Sequence, residues 1–137
     1  MKIKSLVSTV FLFYLILMIG FNEPAFALVW TAQTSGTTST LNDVSAVDAN
    51  TAWAVGTGGT ILHTTDAGAT WTAQTSGTTN NLQDVSAVDA NIAFAVGNGG
   101  TILHTTDAGT TWTGQTSGTT NFLVGVSAVD ANTAWAV

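Results

Sequence analysis

Beyond residue 27 the ionisable side chains are seven aspartates, Asp43, Asp48, Asp66, Asp84, Asp89, Asp107 and Asp130, and two histidines, His63 and His104. Residues of these types do chemistry when they converge. Two facing carboxylates cleave glycosidic bonds, a positioned histidine or carboxylate moves protons, and three or four ligands around one point hold a metal. The spacing here argues against each. Every one of the nine recurs at 41-residue intervals, so each occupies a place in a repeat rather than a constellation of its own. The calcium-loop pattern D-x-[DN]-x-[DN]-G is missing, and one Asp per turn supplies too few oxygens for that ion. His63 and His104, as equivalents in adjacent repeats about 10 Å apart, are too distant to share an ion. No Ser-His-Asp or Cys-His arrangement stands apart from the repeat. We therefore expect no catalytic residue, no metal site and no cofactor.

The elements that carry these residues follow from the repeat. Trp30, Trp71 and Trp112 each open the string Trp-Thr-(Ala/Gly)-Gln-Thr-Ser-Gly-Thr-Thr, and residues 30–70 and 71–111 are identical at 34 of 41 positions. One unit reads as four short strands rich in Val, Ile, Thr and Trp, which suit a pleated surface. They are Leu41 to Val47, Thr51 to Val55, Thr60 to Thr64 and Thr70 to Thr75. Asp48-Ala49-Asn50 turns the first into the second. Gly56-Thr57-Gly58-Gly59 turns the second into the third, and its counterpart carries the hairpin signal Asn98-Gly99. Helical periodicity is absent. Four strands per roughly 40–45 residues is the arithmetic of a propeller blade. The fold class expected is all-β, a partial β-propeller of four-stranded antiparallel blades. A fourth-strand segment lies at 30–35, full blades at about 41–75 and 82–116, and a partial blade at 123–137.

The most specific motif lies between the third and fourth strands. Thr64, Asp66, Gly68, Thr70 and Trp71 fit S/T-x-D-x-G-x-T-W, and Thr105, Asp107, Gly109, Thr111 and Trp112 repeat it. The carboxylate can accept turn N–H groups, glycine can take positive φ, and the tryptophan is an apolar plug. This is the Asp box, or bacterial neuraminidase repeat. The unit TAWAVGTGGTILHTTDAGATW resembles the repeats of photosystem II stability/assembly factor-like propellers. Their blade design is similar to that of sortilin-type, xyloglucanase and sialidase propellers. The resemblance implies that the ten motif residues are structural. Within such a blade Asp43 and Asp84 would sit on the innermost strand, and Gly125 interrupts any acidic ring there, so they read as solvent-facing. His63 and His104 read as strand-end histidines hydrogen-bonded to a neighbour. Trp53, Phe94 and Trp135 read as packing between blades.

The start of the chain differs. Lys2 and Lys4 precede an apolar run from Leu6 to Phe21, and Ala25-Phe26-Ala27 gives the small residues of a cleavage site. Residues 1–27 are expected to be a signal peptide, the product being secreted or periplasmic, or membrane-anchored if uncleaved. Residues 28–137 then contain no Lys, Arg, Glu, Tyr, Pro, Met or Cys. Without Lys or Arg the chain cannot neutralise phosphates, which excludes nucleic acid as a partner. No membrane span is expected after residue 27. The absence of Arg and Tyr removes the groups of a sialidase-type site.

The units count one isolated strand, two whole blades and half of another. An uncovered blade face of about 300 Å² forfeits up to roughly 8 kcal/mol, against a domain stability of about 5–15 kcal/mol. The chain is therefore expected to be a fragment of a longer protein, or to self-associate through open blade faces. The expected function is that of an exported, non-catalytic binding or scaffold module for a protein or glycan. The resemblance implies a photosystem II assembly factor-like role. A third reading is a non-catalytic portion of a glycoside hydrolase or sialidase-type propeller.

Overall fold

The computed structural model describes residues 31–137. The predicted signal peptide, with Ala25 and Ala27, and Trp30 lie outside the described residues. Ten strands follow. β1 (Leu41–Ala46), β2 (Ala52–Gly56), β3 (Ile61–Thr64) and β4 (Thr72–Gln74) form one antiparallel sheet in chain order. β5 (Leu82–Ala87), β6 (Ala93–Gly97), β7 (Ile102–Thr105) and β8 (Thr113–Gln115) form a second of the same design. β9 (Val126–Asp130) and β10 (Thr133–Ala136) make a two-stranded hairpin. This is a partial β-propeller of four-stranded blades.

The two sheets share one register. Trp53 pairs with His63 and Ala54 with Leu62, as Phe94 pairs with His104 and Ala95 with Leu103. β2 and β6 are buried along nearly their whole length, each being an inner strand of its sheet. Trp53, Val55 and Ile61 of the first blade pack with Leu82, Val85, Ala93, Ala95, Leu103 and Trp112 of the second. Trp53, Val55 and Leu82 are fully buried, and each such apolar side chain contributes roughly 1.5–3 kcal/mol.

Three elements differ from expectation. Residues 31–35 adopt no strand, having no ladder partner among the described residues. The fourth strand of each blade begins after the tryptophan, at Thr72 and Thr113, because the preceding turn extends through it. The turn from second to third strand is a single 3-10 turn, Thr57–Gly59 or Asn98–Gly100, rather than a two-residue hairpin. Gly59 and Gly100 are required there. They lie at φ 73° and 72°, and a Cβ on either would strike the carbonyl oxygen of Thr78 or Thr119.

Alternating strand direction divides the blade ends by charge. The β1–β2 and β3–β4 turns lie together, Ala67 N–H donating to the Asn50 carbonyl at 3.0 Å. That end, with its counterparts, carries Asp48, Asp66, Asp89, Asp107 and Asp130. The opposite end, made by the 3-10 turns and the 75–81 and 116–122 connections, carries no ionisable side chain.

Candidate functional site

The Asp-box turns are closed networks. Thr64 Oγ1 donates to Asp66 Oδ1 at 2.8 Å and accepts from Gly68 N–H at 3.0 Å. Asp66 also accepts from the Thr70 N–H at 2.9 Å and from its hydroxyl at 2.6 Å. Thr105, Asp107, Gly109 and Thr111 repeat every one of these contacts. The side-chain hydrogen bonds from Thr70 and Thr111, and then those from their backbone, hold both carboxyls below the usual carboxylate range. Such groups stay ionised and move no proton near neutrality. Ala67 and Ala108 take φ 59° and 57° beside Gly68 and Gly109 at 80° and 78°.

A residue that the sequence reading passed over ties each turn to the preceding repeat. Gln74 on β4 donates through Nε2 to the Ala108 carbonyl at 2.8 Å and accepts from Trp112 Nε1 at 2.9 Å. Gln33 does the same to Ala67, at 2.8 Å, and Trp71, at 3.3 Å. A Cβ on Gly68 or Gly109 would overlap the Gln33 or Gln74 amide. The glycine of the motif thus makes room for the neighbouring repeat as well as for its own turn. The available signal was the recurrence of Gln33, Gln74 and Gln115 three positions after each Trp.

The inner strands correct a second reading. Asp43 and Asp84 do not simply face solvent. Asp43 Oδ2 accepts the Val85 N–H at 3.0 Å, and Asp84 accepts those of Val85 and Val126. Ser45 and Ser86 act likewise on Ala87 and Ala128, both at 3.0 Å. Burial, then the adjoining Asp43 carboxyl, raises the Asp84 carboxyl above the usual range. A raised carboxyl beside another is a pairing that acid–base enzymes use, but here both groups bind backbone of the next blade.

His63 and His104 are also placed differently from expectation. Neither Nε2 has a hydrogen-bond partner, and both are buried. His63 stacks on Trp53 with ring centroids 4.2 Å apart, and His104 on Phe94 at 4.1 Å. Burial lowers both histidines below their ordinary value. The Trp53 and Phe94 rings are packed inside, whereas Trp135 is 60 % exposed. Among the described residues no three His, Asp or Glu side chains are grouped to hold a metal ion.

The sequence matches the family described as Photosynthesis system II assembly factor YCF48 over residues 23–127. This chain belongs to that family. A solved structure described as YCF48 bound to a D1 peptide is similar, with a TM-score of 0.70 and 28% identity, over 83% of this chain and 38% of that one. YCF48 from Cyanidioschyzon merolae is similar in fold, with a TM-score of 0.67 and 17% identity, over 83% of this chain and 39% of its own. The chain thus spans about two fifths of the length of these YCF48 structures. No curated protein matches it.

Proposed function

We propose that the chain is an exported, non-catalytic scaffold that holds a segment of a partner protein, as the YCF48 solved with a D1 peptide does. The observation that carries this is the engagement of its carboxylates. Asp66 and Asp107 close their own turns, Asp48, Asp89 and Asp130 accept N–H groups of theirs, and Asp43 and Asp84 bind the next inner strand. What remains for a partner is a surface of hydroxyls, amides and backbone, with exposed apolar side chains such as Phe122 and Val124 beside it. At the charge-free end an open concavity of about 630 Å³ is lined by Gly99, Gly100, Gln115, Ser117 and Thr119. Such a surface recognises an extended peptide by hydrogen bonding. With seven aspartates and no Lys or Arg after residue 4, it favours a neutral or basic segment over an acidic one.

The test is a fluorescence-anisotropy titration of the chain with a labelled D1 peptide, alongside basic and acidic versions of it. Saturable binding, weakest for the acidic version, is expected. No binding to any of them at about 1 mM, the weak limit of roughly −4 kcal/mol, would remove the proposal. Export is checked by sequencing the N-terminus of the released protein. A start at Leu28 supports cleavage after Ala27, and a retained Met1 contradicts it.

A further inference from the structure

The seam between the two blades brings two carboxyls to one backbone donor. Asp43 Oδ2 on β1 and Asp84 Oδ1 on β5 both accept the Val85 N–H, each at 3.0 Å. Asp84 Oδ2 accepts the Val126 N–H of β9. Ser45, two residues on from Asp43, accepts the Ala87 N–H at 3.0 Å and fixes the two inner strands side by side. One N–H cannot neutralise two anions. With both groups ionised, two negative oxygens crowd a single donor, and like charges this close favour the neutral form of one of them.

No other charge among the described residues relieves the pair. The elements packed against β5 are β1, β2, β6, β9 and the Thr57–Gly59 turn. β2, β6 and that turn carry no ionisable side chain, and β1 contributes Asp43 itself. β9 carries Asp130 at its far end, where the carboxylate accepts the Asn132 N–H at 2.8 Å. Asp48 and Asp89 are engaged in their own turns. His63 and His104 lie on β3 and β7, beyond β2 and β6 in each sheet. Lys and Arg are absent from the described residues. Burial, then the adjoining Asp43 carboxyl, accordingly holds the Asp84 carboxyl above the usual range.

We propose that in acid Asp43 and Asp84 share one proton, Asp84 Oδ1–H donating to Asp43 Oδ2, and that this bond tightens the seam between the blades. The proton comes from solvent, and the Asp43 carboxylate keeps the Val85 N–H. An O–H···O⁻ bond of this kind is about twice as strong as a neutral one. The folded-state value of Asp84 lies above the unfolded one of about 3.9, so the folded state binds more protons there. The contribution is fully present below the unfolded value and is lost as pH rises through the folded one. The next seam lacks the device. Gly125 stands one repeat after Asp84, and the Val126 N–H meets one carboxyl alone. Two seams of the same design thus respond differently to acid.

A carboxyl-carbon NMR titration of the 137-residue chain tests this. The Asp84 side chain should titrate above about 3.9, and the same step should register on the Asp43 carboxyl carbon, the mark of one proton shared by two groups. Asp43→Asn should move the Asp84 midpoint down. Gly125→Asp should move it up, since a Cβ there would lie 3.8 Å from Asp84 Oδ2. Independent titration of the two carbons, or an Asp84 midpoint that neither variant moves, overturns the proposal. Stability gives a second measurement. Asp84→Asn replaces the shared proton with a permanent donor, and both histidines are common to variant and parent. The urea midpoint of the parent, relative to that variant, should rise as pH is lowered from about 7 to about 4. A difference that stays constant or shrinks also overturns the proposal.

Discussion

Trp112 donates its indole N–H to the side-chain oxygen of Gln74 at 2.9 Å across 38 positions of sequence. The same amide reaches the Ala108 carbonyl with its nitrogen. One neutral side chain thus fixes a backbone acceptor and a bulky donor of the next repeat's turn. This is a strong use of glutamine, because both ends of the amide are matched and the partly buried indole N–H has its acceptor supplied.

Replacing that side chain should loosen the seam. Gln74→Ala leaves the Trp112 indole N–H without its acceptor and should cost about 1–3 kcal/mol. Gln115 makes only a 3.3 Å contact to the carbonyl of Thr113, two residues back, so Gln115→Ala should stay within about 0.5 kcal/mol. Urea midpoints of the two variants, at equal m-values, decide the matter. Equal losses would mean that the bridge contributes nothing.

Two glycines separate backbone strain from crowding. Gly118 lies at φ 74° with nothing near the position of a Cβ, and Gly109 at 78° with the Gln74 amide in the way. Gly118→Ala should cost about 1–2 kcal/mol for the left-handed backbone alone. Gly109→Ala should cost more, since it also displaces the bridge. In a Gln74→Ala background the extra loss should vanish, a coupling that a double-mutant cycle reads directly.

The stacked histidines set a pH response. Their folded values lie below the unfolded one of about 6.5, so the folded state binds fewer protons. Their contribution is fully present above that pH and is lost as pH falls below it toward the folded values. The neighbouring carboxylates do not rescue them: Asp66 and Asp107 are held by their turns, and Asp84 and Asp130 by backbone N–H groups. β2, β4, β6 and β8, which flank them, contain no charged residue. Changing both His63 and His104 to Phe keeps a stacking ring and removes the proton site. Urea midpoints between pH 7.5 and 5.5 should fall less in the double variant than in the parent chain. Parallel curves would show that the histidines are not the cause.

The sequence made the blade legible because its evidence is local and periodic. Turn residues, β-branched runs and the Thr-Asp-Gly-Thr-Trp spacing all act within eight positions, and tandem copies remove the ambiguity of a single match. The seams were harder to see. Asp43 and Asp84 bind backbone N–H groups on the neighbouring strand, and a backbone donor has no sequence signature. Gln74 reads as an ordinary polar residue on a short strand until the fold brings Trp112 to it. His63 invited a hydrogen-bonded reading because imidazole usually finds a partner, but cross-strand pairing with Trp53 places it face to face with an indole.

The bonds between repeats obey a fixed offset: Gln33 to Ala67 recurs as Gln74 to Ala108, and Asp43 to Val85 as Asp84 to Val126. Such an interface has translational symmetry. A gene that duplicates or deletes one 41-residue unit produces a product whose remaining units still fit, with no compensating mutation. Copy number can therefore drift by recombination while each seam is inherited intact. The same indifference carries a hazard during folding, because only seven differing positions in 41 distinguish a unit's true neighbour from the one after it.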